Sequence, residues 1–369
     1  MFSKLNLSYP DEINKILEGL ISIYDECCSN IIVYGSTAVS GLSYLEKDGK
    51  YDFLSDMEFI VIPTDKENEY SKSFRKSLMK KSSDFLKTVS CLKNIPFVDV
   101  YPVSKEYFEN LDCRISTFEL KNNGKIIKGD NLLTLIKKVD INNYNSKIQN
   151  IEIVKALKIL VLESKNWFFN FDSTSNIDYK WFCYFLNSSF LNILRTLLPI
   201  FGYFESTLEG RLNALHKIIN ESKLRYYFSK DVLDYFDISV EEKHSGIFRK
   251  SPKELFILCI KGYKSLLRMI LNCDEKKVQL KIQEKKFEIF FGEPWKINQL
   301  ADLTCFFISI LDCIYEWIDQ GSIKDLNINK AIDNFDILSS GHNVYKLMCI
   351  MDKYSELEKT RWRIINSKD

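Results

Sequence analysis

Residues 31–62 read IIVYGSTAVSGLSYLEKDGKYDFLSDMEFIVI, and this stretch decides the fold of the amino-terminal part of the chain. It begins with a short apolar run, continues with a Gly-Ser pair at residues 35 and 36, and ends with a second apolar run at residues 57–62. Short runs of β-branched and aromatic residues bounded by turn residues predict buried strands. The stretch therefore predicts two strands, of which the first turns into a helix at the Gly-Ser pair.

The same alternation of short strands and helices continues on both sides of this stretch. Further strands are predicted at 95–103, 114–120 and 125–128, with turn residues between the last two. A helix is predicted at 11–28, where apolar residues recur with a helical period, and another at 70–89, where one face is rich in lysine. This pattern is typical of an α/β or α+β domain.

The character of the chain changes near residue 140. Residues 140–150 (DINNYNSKIQN) are polar and rich in asparagine, as expected of a linker. From residue 151 onward the apolar residues follow a helical period almost throughout. Since single cores seldom grow beyond about 250–300 residues, we expect two domains in a chain of 369 residues. We predict an α+β protein, with a mixed sheet and flanking helices in residues 1–140 and a mostly α-helical domain in residues 151–369.

Composition excludes several classes of protein. The chain has 51 basic and 50 acidic residues, so a protein that coats duplex nucleic acid through a basic surface is not expected. A content of 46% hydrophobic and 27% charged residues is typical of a globular protein and not of a disordered or membrane protein.

The most apolar window, residues 181–204, contains Arg195 and Pro199, and we predict a buried helix rather than a membrane span. Residues 1–10 lack the apolar segment of a signal peptide, so the ten cysteines are expected to be reduced thiols in the cytoplasm.

Three carboxylates are predicted to lie on neighbouring strands. Asp56 and Glu58 are two residues apart at the start of a strand, so their side chains are expected on one face while Met57 turns into the core. Asp99 lies between two valines in a later strand and is expected to share that face. Such carboxylates repel one another unless a cation lies between them, and their oxygens suit Mg²⁺ or Mn²⁺. Asp52 competes with Asp56 for the first position, but it lies farther from the strand, so Asp56 is preferred.

The Gly-Ser pair predicts the other half of this site. A strand that turns into a helix at such a pair exposes backbone N–H groups and the positive end of the helix dipole. Gly35 lets a phosphate approach the backbone, and the hydroxyl of Ser36 adds a hydrogen-bond donor. Anion donors beside carboxylates that hold metal ions predict a site for a nucleoside triphosphate.

The order of these elements resembles that of the polymerase-β-type nucleotidyltransferase superfamily, and most closely the aminoglycoside and lincosamide nucleotidyltransferases, which have a helical domain after the core. The resemblance covers residues 11–138. Within this range, residues 126–133 (IIKGDNLL) are similar to the strand and turn that often close this core. The chain departs from the family in one respect. Residues 37–55, 19 residues, separate Ser36 from Asp56, and the family usually has fewer. The extra residues, roughly 43–54, are expected to form a lengthened loop.

The resemblance implies the transfer of a nucleoside monophosphate from an NTP, with release of pyrophosphate. Asp56 and Glu58 would hold two Mg²⁺ ions, and Asp99 would either share a metal ion or accept the proton of the attacking hydroxyl. The residues that would bind the nucleotide are Gly35, Ser36, Thr37 and Ser55. The acceptor would be a hydroxyl of a small molecule or glycan precursor, and the helical domain would shape its pocket.

Two alternatives remain open on the same residues. One is a regulatory protein that keeps the fold with weak catalysis, such as a nucleotide sensor, or that modifies a protein partner, as antitoxin-like nucleotidyltransferases do. The other is a signalling enzyme that joins nucleotides to one another. The three carboxylates at positions 56, 58 and 99 favour an enzyme over a pure binding module. The acceptor, the preferred NTP, the lysine or arginine that binds the triphosphate and the oligomeric state are left open.

Overall fold

The computed structural model describes residues 7–111, 115–138, 157, 160 and 179–273. Over these residues the protein is a mixed α+β structure, with a sheet and flanking helices first and helices after it. The described residues fall into two compact units. The first unit lies within Met1–Tyr144, Leu198–His216 and Val240–Ile247, and the second lies within Asn145–Leu197, Lys217–Ser239 and Phe248–Asp369.

A mixed sheet forms the centre of the first unit. The strands of this unit are β1 (Cys28–Tyr34), β2 (Tyr44–Lys47), β3 (Lys50–Phe53), β4 (Met57–Pro63), β5 (Val98–Pro102) and β6 (Lys125–Lys128). Four of them form a sheet in the order β5-β4-β1-β6. β1 is antiparallel to both β4 and β6, whereas β4 and β5 are parallel. The strand predictions at 31–34, 57–62, 95–103 and 125–128 are thereby confirmed.

The residues expected to form a lengthened loop form a β-hairpin instead. β2 and β3 pair antiparallel, with Tyr44 opposite Phe53. Asp48 and Gly49 connect them, with φ values of 55° and 69°. An Asp-Gly pair with positive φ at both positions is a preferred two-residue hairpin turn, because its twist matches that of the strands. The expectation of a lengthened loop at 43–54 was therefore wrong.

The larger core lies between one face of the sheet and the helices that cover it. The helical segments of the amino-terminal part are α1 (Asp11–Asp25), α2 (Gly35–Ala38), α3 (Lys72–Lys87), α4 (Glu106–Glu109) and α5 (Ile115–Asn123). The apolar positions that predicted α1 are all buried, namely Ile13, Ile16, Leu17, Leu20, Ile21 and Tyr24. The side chain of Ser71 caps α3 by accepting a hydrogen bond from the N–H of Phe74 at 3.3 Å. Both α1 and α3 pack against the face of β4 that carries Met57 and Phe59.

The opposite face of the sheet holds a smaller core. Ile60 of β4 packs there with Phe108 of α4 and Leu120 of α5. The prediction of a strand at 114–120 was wrong, because residues 115–120 belong to the helix Ile115–Asn123.

Contacts far away in the sequence hold α5 in this helical state. The guanidinium of Arg211 forms an ion pair with Glu119, and the Asn123 side chain donates a hydrogen bond to the carbonyl of Ser206 at 2.9 Å. Burial lowers the pKa of Arg211 to about 10.

The described residues from 179 to 273 are mostly helical. The helices are α6 (Tyr179–Ile200), α7 (Leu208–Ile218), α8 (Ser222–Tyr227), α9 (Lys230–Ser245) and α10 (Pro252–Leu271). α6 confirms the buried helix predicted at 181–204, since Leu186, Phe190 and Leu194 are fully buried. No helix in the described part of the chain has the length and hydrophobicity that a membrane span requires.

Side-chain hydrogen bonds to the backbone fix the helices of the second unit. The amide of Asn187 donates to the carbonyl of Ser239 at 2.8 Å, and the hydroxyl of Tyr263 donates to the carbonyl of Ser189 at 2.8 Å. The predicted linker 140–150 and most of the predicted helical domain lie outside the described residues.

Candidate functional site

The sheet register brings the predicted carboxylates together. In the parallel pair β4–β5, Glu58 lies opposite Asp99, and in the antiparallel pair β1–β4, Glu58 lies opposite Tyr34. Opposite residues on neighbouring strands project to the same face of a sheet. Asp56 immediately precedes β4 and is two residues before Glu58. The turn at the end of β1 and the three acidic residues therefore meet at one edge of the first unit.

Alternation along β4 separates the core from this site. Met57 and Phe59 are fully buried in the larger core, while Glu58 between them is partly exposed on the other face. Val98 and Val100 are likewise buried in the larger core, on either side of Asp99, which is 9% exposed. The prediction that Met57 and Phe59 turn into the core is confirmed. The period of two along a strand is the cause, because it turns the acidic residues to the face opposite the larger core.

The carboxylate of Asp99 is already engaged by two side chains. The guanidinium of Arg75 pairs with Oδ1 of Asp99, and the hydroxyl of Tyr101 donates a hydrogen bond to Oδ2. The guanidinium also lies over the Tyr101 ring, 4.5 Å from its centroid. Partial burial lowers the pKa of Arg75, but the hydrogen bond and the charge of Asp99 outweigh this effect, so the pKa lies above its ordinary value. Asp99 therefore has a firmly charged partner in this arrangement.

Asp56 lies in the electrostatic field of both an acid and a base. Burial raises the pKa of its carboxyl above the ordinary value, the charge of Asp99 adds to this rise, and the charge of Lys243 partly opposes it. Lys243 is in the last turn of α9. Gly246, just after that helix, would place a Cβ atom 2.8 Å from Leu45 and 2.9 Å from Leu54. The end of α9 is thus packed on the hairpin that precedes Asp56.

The Gly-Ser turn supports Glu58 directly. Gly35 has a φ of +62°, and a Cβ atom at this position would overlap Oε2 of Glu58. Only glycine combines this backbone conformation with such a close approach at little cost. The hydroxyl of Thr37 accepts a hydrogen bond from the N–H of Glu58 at 3.2 Å. Gly35 therefore leaves the space that the carboxylate of Glu58 occupies, and Thr37 bonds the backbone of the same residue.

The other predicted nucleotide-binding residues have different surroundings. Ser36 is partly exposed, and its carbonyl accepts a hydrogen bond from the N–H of Gly41 at 2.8 Å, which closes the turn. Ser55 is buried, and its hydroxyl accepts a hydrogen bond from the N–H of Ser43 at 2.9 Å. Thr37 is fully buried. Of these residues, Ser36 is therefore the most open to a ligand.

Asp52, the competing candidate for the first carboxylate, lies in a separate cluster. It is 5% exposed, and it accepts hydrogen bonds from Lys93 at 3.0 Å and from Asn94 at 2.5 Å. This cluster ties β3 to the loop before β5. The position of Asp56 beside Asp99 supports the preference for Asp56.

The donor chemistry of the site suits a hard divalent cation at Asp56 and Glu58. Carboxylate oxygens are the ligands that Mg²⁺ and Mn²⁺ prefer. Burial is the main cause of the raised pKa of Asp56, and a cation would relieve the smaller contribution that comes from the charge of Asp99. Both oxygens of Asp99 already accept hydrogen bonds. In the arrangement described for 7–111, 115–138 and 179–273, no three His, Cys, Asp or Glu side chains are placed to hold a metal ion.

Sequence reasoning missed three residues of this site. Tyr101 is two residues after Asp99, so the strand period could have placed it on the same face. Arg75 is three residues before the buried Leu78 on α3, so the helical period could have placed it at the border of the core. No local signal identifies Lys243, because α9 is distant in sequence and only the fold brings it near Asp56.

The chain was compared with protein-family models, with curated proteins and with solved structures, and none of them matches it.

Proposed function

We propose that the protein is a nucleotidyltransferase of the cytosol that moves a nucleoside monophosphate from an NTP to a hydroxyl group of a small molecule or glycan precursor. The observation that carries this proposal is the register of the sheet. It brings the Gly-Ser turn, the Asp-x-Glu pair and a third carboxylate to one edge, in the order expected from the resemblance to the polymerase-β-type superfamily.

The proposal assigns Mg²⁺ or Mn²⁺ to Asp56 and Glu58. When bound, the metal would neutralise charge on the triphosphate and favour in-line attack at the α-phosphorus. Glu58 is suited to this task because its carboxylate lies against Gly35 of the Gly-Ser turn and its backbone N–H is bonded to Thr37. Thr37 and Ser55 are buried, so we assign them a supporting role rather than contact with the nucleotide.

Basic side chains at the site are proposed to bind the triphosphate. The positive charge of Lys243 lowers the pKa of Asp56. Arg75 forms an ion pair with Asp99, and its side chain is 35% exposed. Arginine binds phosphate through a planar fork of N–H groups, whereas lysine acts as a point charge. Together with the partly exposed Gly35 and Ser36, these side chains offer donors for phosphate oxygens.

Asp99 is proposed to accept the proton of the acceptor hydroxyl. The hydroxyl oxygen forms a bond to the α-phosphorus, the bond from that phosphorus to the bridging oxygen breaks, and pyrophosphate leaves with the electron pair. The proton passes to Oδ2 of Asp99, whereas Oδ1 is the oxygen that pairs with Arg75. A positioned base of this kind accounts for about 10²–10⁴ of a rate enhancement.

Labelled nucleotides test the proposed reaction. The wild-type protein is incubated with each α-labelled NTP, Mg²⁺ and pools of hydroxyl-bearing metabolites, and pyrophosphate and labelled adducts are measured. Asp56→Asn/Glu58→Gln serves as the inactive control. We expect acceptor-dependent pyrophosphate release that this control loses. Turnover with NTP alone would indicate the nucleotide-linking alternative, label on a protein would indicate the protein-modifying one, and no product with any NTP would contradict catalysis.

A further inference from the structure

In the candidate site, the carboxylate of Asp99 is paired with an arginine. Asp99 has both of its oxygens engaged, Oδ1 by the guanidinium of Arg75 and Oδ2 by the hydroxyl of Tyr101. Glu58 lies directly opposite Asp99 in the sheet, and Asp56 is two residues before Glu58. Arg75 therefore neutralises one member of a cluster in which the acids still repel one another.

A guanidinium and a divalent cation compete for such a carboxylate. Both are attracted by the same charge, and both approach along the same lone-pair directions of the oxygen. Two cations close together on one carboxylate also repel each other, in surroundings less polar than water. If a cation is to use Oδ1 of Asp99, the side chain of Arg75 has to leave it.

The side chain of Arg75 is able to make this move. It is 35% exposed, whereas the side chain of Asp99 is only 12% exposed. Among the described residues, Nε of Arg75 is one of the few buried side-chain nitrogens without a hydrogen-bond partner. The contact with the Tyr101 ring depends on the position of the charge over the ring and not on a directed hydrogen bond. The aromatic ring can therefore hold the arginine near the site while its N–H groups change partner.

We propose that Arg75 is an exchangeable counter-ion of Asp99. The divalent cation held by Asp56 and Glu58 also takes Oδ1 of Asp99 and displaces the guanidinium, and Arg75 then binds the triphosphate that arrives with the cation. This inference rests on the proposed function, because it assigns a role within the same site. In the nucleotide-free protein Arg75 neutralises Asp99. In the loaded protein the guanidinium pairs with phosphate oxygens, for which its planar fork is well suited.

The exchange predicts effects of opposite sign from one substitution. Binding of Mn²⁺ alone is measured by the loss of its free electron paramagnetic resonance signal, and binding of Mn²⁺ with a non-hydrolysable NTP analogue is measured separately. Arg75→Gln is expected to tighten binding of Mn²⁺ alone about tenfold and to weaken binding of the analogue about tenfold. Adding Asp99→Asn to Arg75→Gln is expected to remove the gain in Mn²⁺ affinity. Arg75→Lys, which keeps the charge, is expected to bind Mn²⁺ as the wild type does.

Lys93→Gln is the matched control, because Lys93 also pairs with a buried aspartate of the first unit, Asp52. It is expected to leave both affinities unchanged. A merely structural role of Arg75 would lower the stability without tightening Mn²⁺ binding, and that result would overturn the proposal. Tighter Mn²⁺ binding in both Arg75→Gln and Arg75→Lys would also overturn it, because charge would then not be the cause.

Nuclear magnetic resonance of the wild-type protein gives a measurement that does not depend on the stability of Arg75→Gln. The Nε resonance of Arg75 is assigned from its absence in Arg75→Lys. It is recorded with Mg²⁺ in place of Mn²⁺, and we expect it to shift when the NTP analogue is added. An unchanged resonance on binding of the analogue would contradict the exchange. If the analogue does not bind at all, the proposed function fails, and the Mn²⁺ titrations then decide separately whether Arg75 competes with a cation for Asp99.

Discussion

Asp52 and Asp99 are two buried aspartates of the first unit, and each is paired with one basic side chain, yet their surroundings differ. Asp52 accepts hydrogen bonds from Lys93 and Asn94. Asp99 accepts hydrogen bonds from Arg75 and Tyr101, but it also lies opposite a second acid, Glu58, and acts on a third, Asp56.

The difference shows how a structural carboxylate can be distinguished from a functional one. One cation that balances one buried acid ties two segments together and leaves no charge for a ligand. The three acids at Asp56, Glu58 and Asp99 form a cluster of like charges close to Arg75 and Lys243. Clusters of this kind are favoured at functional sites, where perturbed pKa values gather. Each of the following predictions compares a residue of the three-acid site with a counterpart outside it.

The largest difference is expected between Asp99→Asn and Asp52→Asn. Asp99→Asn is expected to lower turnover about 10²–10³-fold, since it removes the proposed base. Asp52→Asn is expected to lower the free energy of unfolding by about 1–2 kcal/mol, because the loop around Asn94 loses a charge-assisted hydrogen bond, while turnover of the folded protein stays close to that of the wild type. Turnover assays and urea denaturation of both variants measure these effects. Equal losses of turnover would show that the two aspartates do not differ in function.

A smaller effect is expected from two glycine substitutions with similar backbone strain. Gly35 and Gly49 have φ values of +62° and +69°, so alanine at either position is expected to cost about 1–2 kcal/mol of stability. A Cβ atom at Gly35 would displace the carboxylate of Glu58, whereas a Cβ atom at Gly49 would have no atom within 4 Å. Gly35→Ala is therefore expected to weaken binding of Mg²⁺ and NTP about tenfold, and Gly49→Ala is not. Calorimetric titration measures this, and similar affinities for the two variants would count against a role of the Gly-Ser turn.

The smallest effects concern stability as a function of pH, measured in EDTA. The raised pKa of Asp56 in the folded protein means that the ionised carboxyl opposes folding. Asp56→Asn is therefore expected to stabilise the metal-free protein slightly at neutral pH. The gain should disappear as the pH falls through the raised pKa toward the ordinary value of 3.8, because Asp56 then binds a proton in both states.

Asp84 provides a control with the opposite sign. A hydrogen bond and the charge of Lys87 lower the pKa of this exposed carboxyl, so its contribution to stability is present above pH 3.8 and is lost as the pH falls through the lowered value. Asp84→Asn should therefore destabilise the protein slightly at neutral pH, with a loss that disappears in acid. Denaturation at several pH values measures both variants, and the same sign for both would contradict the electrostatic description of Asp56.

Local sequence patterns were sufficient for much of this fold. The helical period predicted α1 from six apolar positions that are all buried, and short apolar runs predicted four of the strands. The Asp-Gly pair at 48 and 49 is a hairpin signal. The prediction of a lengthened loop at 43–54 was based on the length of the insert and not on these turn residues.

The segment 114–120 shows why local patterns fail elsewhere. RISTFEL contains β-branched and aromatic residues that favour a strand, yet residues 115–120 lie in a helix. The partners of Glu119 and Asn123 are Arg211 and Ser206, far along the chain, so no window of sequence contains them. The candidate site divides in the same way. The strand period predicted which acids share a face, whereas Arg75 and Lys243 come from helices whose position depends on the tertiary fold.

The most direct test of the proposed function is thermal denaturation with each NTP, with and without Mg²⁺. Wild type is compared with Asp56→Ala/Glu58→Ala and with Asp52→Asn. At about 100 times its dissociation constant a ligand adds about 2.7 kcal/mol to the free energy of unfolding. We expect one NTP to raise the midpoint of the wild type and of Asp52→Asn only when Mg²⁺ is present, and we expect the double variant to lose this shift. If no NTP shifts the wild type, or if the double variant keeps the shift, the carboxylates at positions 56 and 58 do not bind a metal–nucleotide complex.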